Sequence, residues 1–150
     1  MTTVAVSGGF DPVHIGHINL FRSAKKLGDR LVVILNNDNW LKKKKGFVFM
    51  QEDERKAVLE AIRYIDEVII TSHLENPEDM SICRELRQLK PDIFANGGDR
   101  DMQDAQIQGS SLKPEYELCP RLGIEMAFNV GGRKASSSSE LVRKAKNNVP

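Results

Sequence analysis

Two histidines near the start of the chain have the spacing and neighbours of a phosphate site. His14 and His17 follow the glycine pair Gly8-Gly9. A glycine turn has no side chains, so a polyphosphate can approach its backbone closely. A helix predicted to begin near His17 would direct free N–H groups at a bound anion. Nucleotidyl transfer needs positioned hydrogen-bond donors around the α-phosphorus rather than covalent help from the protein. The stretch therefore predicts a site that binds a triphosphate and stabilises attack at its innermost phosphorus.

A regular alternation of strands and helices is predicted to position this stretch. Apolar runs typical of parallel strands covered on both faces predict five strands, at 4–6, 31–35, 67–71, 92–95 and 124–128. Helical periodicity predicts helices at 18–27, 52–64, 77–89 and from the serines at 136–139 to about 146. This order predicts an α/β fold, a doubly wound sandwich with a five-stranded parallel sheet, in one domain spanning 1–150. Ligands of such a sheet bind at the carboxyl ends of its strands.

The composition limits the classes of function. The net charge of +1 creates no overall field toward nucleic acid or an anionic membrane surface. No apolar run approaches the roughly 18 residues of a membrane span. Cys83 and Cys119 lack metal-binding spacing and are expected to be buried thiols in a reducing compartment. We therefore expect a cytoplasmic protein with no nucleic-acid or membrane partner and no metal held by protein ligands alone.

The stretch around the two histidines resembles a known family. Gly9-Phe10-Asp11-Pro12-Val13-His14-Ile15-Gly16-His17 is similar to the signature of the cytidylyltransferase-like nucleotidyltransferases. That superfamily includes glycerol-3-phosphate cytidylyltransferase, the heptose-1-phosphate adenylyltransferases, archaeal FAD synthase and pantetheine-phosphate adenylyltransferase. The resemblance implies a Rossmann-like fold, a nucleoside triphosphate bound with Mg²⁺, and in-line attack by the acceptor's phosphate on the α-phosphorus. It also implies that His14 and His17 are catalytic and that the nucleotide is bound by Gly8, Gly9, Phe10, Asp11 and Gly16.

Two basic segments are expected to bind the remaining phosphates. Lys42–Lys45 follow the second predicted strand and are expected on a loop at the same edge of the sheet as the histidines. The resemblance implies that one of them acts on the phosphates; the spacing favours Lys44 as catalytic, with Lys42 and Lys45 binding phosphate. Arg55 and Arg63 are eight residues apart, which places them on one face of the predicted helix. The resemblance implies that both arginines bind phosphorylated ligand.

The nucleotide pocket is expected to be completed by two later segments. Gly97 and Asp99 follow the fourth predicted strand, where the family has a Gly-x-Asp element that lines the pocket. Arg133 and the serines Ser137, Ser138 and Ser139 resemble the segment that opens the last helix and holds the β- and γ-phosphates; serines suit this role as helix caps and hydroxyl donors. The polar segment 100–111 is predicted to be a loop that covers the substrate.

The base of the triphosphate is not decided by these motifs. The segment 54–68 is similar to glycerol-3-phosphate cytidylyltransferase and favours CTP, with CMP transferred to a phosphorylated polyol or sugar. Asn96-Gly97-Gly98-Asp99 is closer to the heptose-phosphate adenylyltransferases, which favours ATP and a sugar 1-phosphate. On balance we expect CTP. The resemblance also makes a homodimer possible.

Two other classes of protein share sequence features with a nucleotidyltransferase of this kind. Class I aminoacyl-tRNA synthetases have the same His-x-Gly-His element, but the chain has no Lys-Met-Ser-Lys-Ser element and no basic face. A non-catalytic nucleotide-binding module remains an alternative because a fold does not determine a function. The presence of both histidines, the lysines and the serine segment favours an enzyme.

Overall fold

A computed structural model describes residues 1–98, 112–132 and 138–147 of the chain. Within these ranges five strands alternate with six helices. The elements are β1 (Thr3–Gly8), α1 (Ile15–Lys25), β2 (Arg30–Leu35), α2 (Asp38–Lys45), α3 (Glu52–Glu60), β3 (Glu67–Ile70), α4 (Cys83–Leu89), β4 (Ile93–Ala95), α5 (Leu112–Arg121), β5 (Glu125–Ala127) and α6 (Ser138–Asn147).

The strands form one parallel sheet in the order β3-β2-β1-β4-β5. From β1 the chain moves outward to β2 and β3, then returns to β4 on the other side of β1 and moves outward to β5. The order of the strands therefore reverses between β1 and β4, and this is the place where doubly wound sheets bind ligands beyond their carboxyl ends. The predicted fold class, an α/β doubly wound sandwich with a five-stranded parallel sheet, is confirmed.

Both faces of the sheet are covered, as the continuous apolar strands require. Val4 and Val6 of β1 face a core cluster that includes Phe21 of α1 and Leu59 of α3. Ala5, between them, faces a second cluster built largely from α4 and α5. Alternate residues of β1 thus serve two separate cores.

Both cysteines are buried, free thiols, and Cys119 belongs to the second core cluster. Burial raises the pKa of the Cys119 thiol to about 12 and also raises the pKa of Cys83. Neither thiol is therefore activated as a nucleophile near neutral pH.

The prediction that Lys42–Lys45 lie on a loop is wrong, because these residues form the end of α2. The Asn37 side chain caps the helix by accepting from the backbone N–H of Trp40 at 3.0 Å. Gly46 ends the helix in a left-handed conformation, with φ of 83°. Lysine is a good helix former, and cations in a last turn are stabilised by the helix dipole. Helix α2 therefore sets the direction in which each of the four lysine side chains extends.

Other helix bounds also differ from the prediction. Helix α3 ends at Glu60 rather than 64, and α4 begins at Cys83 rather than 77. Asp79 accounts for the second difference, because its carboxylate accepts from both the backbone N–H and the hydroxyl of Ser81 and fixes a turn there. Helices α2 and α5 are not among the predicted elements.

No helix in the described ranges is long and apolar enough to cross a bilayer. The predicted loop over 100–111 lies outside the described residues.

Candidate active site

His14 and His17 hold the first turn of α1 through a reciprocal pair of hydrogen bonds. His14 is the N-cap, with extended backbone, and its Nδ1 accepts from the backbone N–H of Gly16 at 3.1 Å. The Nδ1 of His17 accepts from the backbone N–H of His14 at 3.2 Å. Because a backbone N–H can only donate, both Nδ1 atoms are unprotonated, and each neutral ring carries its proton on Nε2. The cap therefore makes both imidazoles Nε2–H donors.

The two rings lie together at the end of β1. Their centroids are 3.7 Å apart and their planes differ by 24°, so the rings are stacked. Both side chains are partly exposed. The structure thus brings together the two imidazoles that the sequence predicts to be catalytic, beside the glycine turn and at a helix start.

The glycine turn, which consists of Gly8 at the end of β1 and Gly9 after it, has no room for side chains. A Cβ on Gly8 would lie 2.9 Å from the ring of Phe10, and a Cβ on Gly9 would lie 2.8 Å from Leu41 of α2. Both glycines are partly exposed, so their backbone is open to a ligand on the remaining side. Packing within the protein therefore requires glycine at both positions.

The side chain of Phe10 packs within the protein, so a nucleotide contact of this residue, which stays a prediction, would come from its backbone. The residue has a left-handed backbone with φ of 48°, which turns its ring back under the glycine pair, and it is only 5% exposed. The ring contacts the edge of His17 at a centroid distance of 4.9 Å and packs against Phe21. Phe10 therefore packs against the ring of His17 and supports its position.

Asp11 makes its contacts within the protein. Its carboxylate is buried and accepts from the backbone N–H groups of Phe49 and Met50, each at 2.7 Å. Both oxygens thus attach the segment between α2 and α3 to the histidine motif. A contact of Asp11 with the nucleotide stays a prediction.

Arg55 is fully buried and binds the ends of β1 and β2 together. Its guanidinium donates to the carbonyl oxygens of Gly9, Asn36 and Met50 at 2.7–2.8 Å. It also forms an ion pair with Asp38 at 2.7 Å. In this conformation every nitrogen of the Arg55 guanidinium makes a contact within the protein, and a contact with phosphorylated ligand stays a prediction.

Arg63 lies beyond the end of α3, so it does not share a helix face with Arg55. It is exposed, and its guanidinium carbon lies 5.3 Å from the centre of the Tyr64 ring. The early end of α3 therefore separates two arginines that the spacing predicts to act together.

The lysines of α2 differ in their surroundings. Lys43 donates to the carbonyl oxygen of Pro77 at 2.5 Å. Lys42 and Lys44 are exposed, and Lys45 is partly buried. Leu41, which packs on Gly9, is followed by Lys44 and Lys45 at three and four residues, so these two lysines share the helix face that adjoins the glycine turn.

The strands on both sides of β1 end in buried asparagines that the sequence reasoning does not single out as a pair. Asn36 directly follows β2 and Asn96 directly follows β4. The Oδ1 of Asn36 and the Nδ2 of Asn96 are buried without a hydrogen-bond partner. The signal available in the sequence is an asparagine directly after each apolar run, where a parallel sheet has its binding edge.

A second set of missed residues fixes the start of α2. The Thr71 hydroxyl accepts from the backbone N–H of Asn37 at 3.0 Å and lies 2.8 Å from the Nδ1 of His73. The amides of Asn37 and Asn39 both donate to the carbonyl oxygen of His73 at 2.9 Å. These bonds attach α2 to the segment after β3, and no local sequence pattern links the two.

The predicted nucleotide contacts after β4 are described only in part. Gly97, two residues after the end of β4, is partly exposed. Asp99, Arg133 and Ser137 are outside the described residues, and Ser138 and Ser139 are described only as backbone in the first turn of α6.

The described residues contain no cluster of three or more histidine, cysteine, aspartate or glutamate side chains that could hold a metal ion. Near the glycine turn, Asp11 is bonded to backbone N–H groups and Asp38 to Arg55.

Comparison with known proteins assigns most of the chain to one family. Residues 5–145 match the model of the family described as cytidylyltransferase-like. An FAD synthase from Pyrococcus abyssi is 43% identical over 124 residues, which cover 79% of this chain and 80% of that protein. The glycerol-3-phosphate cytidylyltransferase of Bacillus subtilis is 37% identical over 99 residues, covering 66% of this chain and 73% of that enzyme.

Two further similarities agree with this assignment. The bifunctional protein HldE of Campylobacter fetus is 41% identical over 120 residues, covering 78% of this chain but 24% of that protein. The crystal structure of a lipopolysaccharide core biosynthesis protein from Thermoplasma volcanium superposes with a TM-score of 0.64 at 24% identity, covering 85% of this chain and 93% of that one. This last likeness supports the fold.

Proposed function

Because the chain belongs to the cytidylyltransferase-like family and is a nucleotidyltransferase, we propose that it transfers AMP from Mg²⁺-bound ATP to a phosphorylated small molecule. A phosphate oxygen of the acceptor attacks the α-phosphorus, the bond from that phosphorus to the bridging oxygen of the β-phosphate breaks, and pyrophosphate leaves. The product joins the two phosphates in a diphosphate linkage.

The histidine pair carries this proposal. Two stacked imidazoles, each with its proton on Nε2, supply hydrogen-bond donors whose orientation is fixed before substrate binds. Donors that need no reorganisation stabilise the extra negative charge on the phosphate oxygens as the phosphorus becomes five-coordinate. His14 and His17 are therefore the proposed catalytic residues.

The backbone of Gly8, Gly9 and Gly16 and the lysines of α2 are proposed to bind phosphate around them. Lys44 shares the Leu41 face of the helix and extends from it toward solvent next to the glycine turn. Its ammonium group is proposed to hold the phosphate oxygens of the triphosphate or of the attacking acceptor. Lys45 lies on the same face, whereas Lys42 points about 100° away from Leu41 around the helix.

The nucleoside end is proposed to lie at β4. Gly97 is partly exposed there, and Asp99, Arg133, Ser137, Ser138 and Ser139 are proposed nucleotide contacts on the family resemblance. When bound with the triphosphate, Mg²⁺ would neutralise part of the charge on its phosphates and favour departure of pyrophosphate.

Support for ATP comes from the relatives and from one motif. FAD synthase is an ATP-dependent adenylyltransferase, and HldE includes a heptose-phosphate adenylyltransferase. The Asn96-Gly97-Gly98-Asp99 sequence also resembles the adenylyl-transferring members. These observations outweigh the sequence-based expectation of CTP, which rested on the segment 54–68.

A panel of acceptors tests the proposal. Pyrophosphate release is measured with ATP and with CTP in parallel, in the presence of Mg²⁺ and of FMN, a sugar 1-phosphate or glycerol 3-phosphate. We expect faster release from ATP than from CTP with at least one acceptor. Absence of acceptor-dependent release from both triphosphates across the panel would contradict the proposed acceptor class.

Transfer of CMP to a phosphorylated polyol is the second candidate. The observation that favours it is the similarity to glycerol-3-phosphate cytidylyltransferase, which covers 73% of that enzyme. In the same panel, this candidate requires CTP to be the faster substrate and glycerol 3-phosphate or a related polyol phosphate to be the preferred acceptor.

We further propose that the protein acts in the cytoplasm and as a homodimer. Support for the first comes from two buried cysteines that form no disulfide with each other, and support for the second from the family resemblance. Sedimentation of the purified protein tests the dimer, and a monomer at micromolar concentration would contradict it.

A further inference from the structure

Among the residues that the structure describes, the Nδ2 of Asn96 has no hydrogen-bond acceptor. The residue is 3% exposed, and its Nδ2 makes no hydrogen bond. Its backbone is fully used, because its N–H donates to Ala127 at 2.8 Å and its carbonyl oxygen accepts from Val130 at 2.9 Å. The backbone bonds could be made by any residue except proline. The amide group is therefore not required by the local fold.

A buried N–H group without an acceptor lowers stability, and such groups are rare in folded proteins. An apolar side chain of similar volume, such as leucine, would avoid this cost at the same place. A buried donor that finds no acceptor in the fold lowers the stability of the protein. Its presence therefore indicates an acceptor supplied from outside the chain.

The position of Asn96 shows where that acceptor would be. Val4 and Ala5 of β1 pair with Ile93 and Phe94 of β4, so Asn96 lies level with Ser7 at the carboxyl end of both strands. This is the place where the strand order reverses. Ser7 and Gly97, the nearest residues along this edge, are partly exposed, so the crevice reaches solvent next to the buried amide.

We propose that Asn96 is a nucleotide-contacting residue whose Nδ2 donates a hydrogen bond to the triphosphate bound in the crevice between β1 and β4. The proposal rests on the proposed function. A nucleoside triphosphate fits the orphan donor because its phosphate, ribose and base-ring atoms offer many acceptors.

Asn96→Leu tests the proposal by changing stability and affinity in opposite directions. The dissociation constant for Mg²⁺-bound ATP is measured by calorimetry without acceptor, and unfolding is measured without nucleotide. We expect binding at least about tenfold weaker, with an unfolding midpoint equal to or above that of the unchanged protein. Asn96→Ala gives a second measure of binding that does not depend on how a leucine fits, and it is expected to weaken binding similarly.

Asn37 provides the matched control for stability. It is a buried asparagine at the same edge whose amide is bonded to Trp40 and His73, so Asn37→Leu is expected to lower the unfolding midpoint. An Asn96→Leu protein that also unfolds earlier and binds ATP unchanged would show a structural role and overturn the proposal.

The outcome for the unchanged protein separates this proposal from the proposed function. If the unchanged protein binds neither ATP nor CTP with Mg²⁺, the proposed function fails together with the role of Asn96. If it binds a triphosphate and both Asn96 variants bind it equally well, only the role of Asn96 is refuted.

Discussion

At the residue scale, His14 and His17 combine a structural and a chemical task in the same rings. Their Nδ1 atoms accept from backbone N–H groups of the first turn of α1. This leaves the Nε2–H groups as donors, with ring directions fixed by the stack between them. An imidazolium could not accept at Nδ1, so protonation of either ring would break its part of the cap. The catalytic geometry and the start of the helix are therefore coupled.

Substitution of His14 separates the two tasks. Asparagine is a good N-cap, so His14→Asn is expected to keep the helix start but to lose the Nε2–H donor. His14→Ala loses both, and should lower the free energy of unfolding by about 1 kcal/mol relative to His14→Asn. Both variants are expected to lose about 10²–10³-fold in turnover, as for removal of one transition-state donor. Urea unfolding and pyrophosphate release measure the two effects.

His17→Ala extends the test to the second ring. It should reduce turnover by far more than it reduces affinity for the triphosphate, because its donor matters most when the phosphorus is five-coordinate. Equal and modest losses of turnover and affinity would instead indicate a nucleotide-binding module without catalysis.

Arg55 and Arg63 are predicted to differ sharply, although the sequence presents them as equivalent. Arg55→Leu leaves Asp38 without its buried partner and the carbonyl oxygens of Gly9 and Asn36 without a donor. We expect the free energy of unfolding to fall by about 3–5 kcal/mol. Arg63→Ala, at an exposed position, is the control and should change it by less than about 0.5 kcal/mol.

The opposite result would restore the ligand-binding interpretation of Arg55. If Arg55→Leu left urea unfolding unchanged and raised only the KM for a substrate, the buried ion pair with Asp38 would not be the main role of this residue.

At the element scale, Asp66 connects three neighbouring elements at the amino-terminal edge of the sheet. Its carboxylate accepts from Lys25 of α1 at 2.5 Å and from the backbone N–H of Leu31 in β2 at 2.8 Å. The hydrogen bond from Lys25, followed by that from Leu31, lowers the pKa of Asp66 below its usual value. Asp66 directly precedes β3, so it joins α1, β2 and β3 at the edge opposite the site.

The lowered pKa of Asp66 predicts a pH-dependent contribution to stability. A carboxylate with a lowered folded-state pKa stabilises the fold above its unfolded-state pKa, and this stabilisation is lost as the pH falls through the folded-state pKa. Asp66→Asn should therefore unfold at lower urea than the unchanged protein near neutral pH, and the difference should shrink as the pH falls below the ordinary aspartate pKa of 3.8 and through the lowered pKa of Asp66. Glu75→Gln, at an exposed position, serves as the control. A constant difference at all pH values would contradict this assignment.

The strands were predictable because each carries a continuous apolar run, and the parallel sheet follows from their alternation with helices. Helix α2 was not, because Asp38–Lys45 has a single buried apolar residue, Leu41, and so shows no periodicity. Its signals were the cap at Asn37 and the stop at Gly46, which are weak without an apolar stripe between them. The end of α3 was missed because Ile62 and Ile65 continue the apolar spacing although they lie in turns that pack on the core.

At the scale of the whole molecule, the site combines one local motif with contacts that span the chain. The histidine pair and glycine turn could be predicted because 10 consecutive residues, 8–17, contain them. The roles of Asp11 and Arg55 could not, because the partners of Asp11 lie 38 and 39 positions away along the chain and those of Arg55 up to 46 positions away. Long-range hydrogen bonds leave no spacing in the sequence, so a charged residue that serves the fold looks like one that serves a ligand.

The same long-range contacts place the parts of the site around one edge. Arg55 joins the ends of β1 and β2, and Asp11 holds the segment between α2 and α3 against the histidine motif. With Asn96 at the end of β4, the crevice at the reversal of strand order is bordered by the glycine turn on one side and an unused donor on the other. The proposed triphosphate would extend along this edge from the histidines toward β4.

The central claim is tested most directly by identifying which phosphorus–oxygen bond of the triphosphate breaks during turnover. Phosphorus NMR of a reaction containing the protein, Mg²⁺, ATP and the active acceptor from the panel distinguishes attack at the α-phosphorus from attack at the γ-phosphorus. The account predicts inorganic pyrophosphate together with a new diphosphate diester, and loss of both signals with His17→Ala. Formation of ADP with a phosphorylated acceptor or orthophosphate would contradict it.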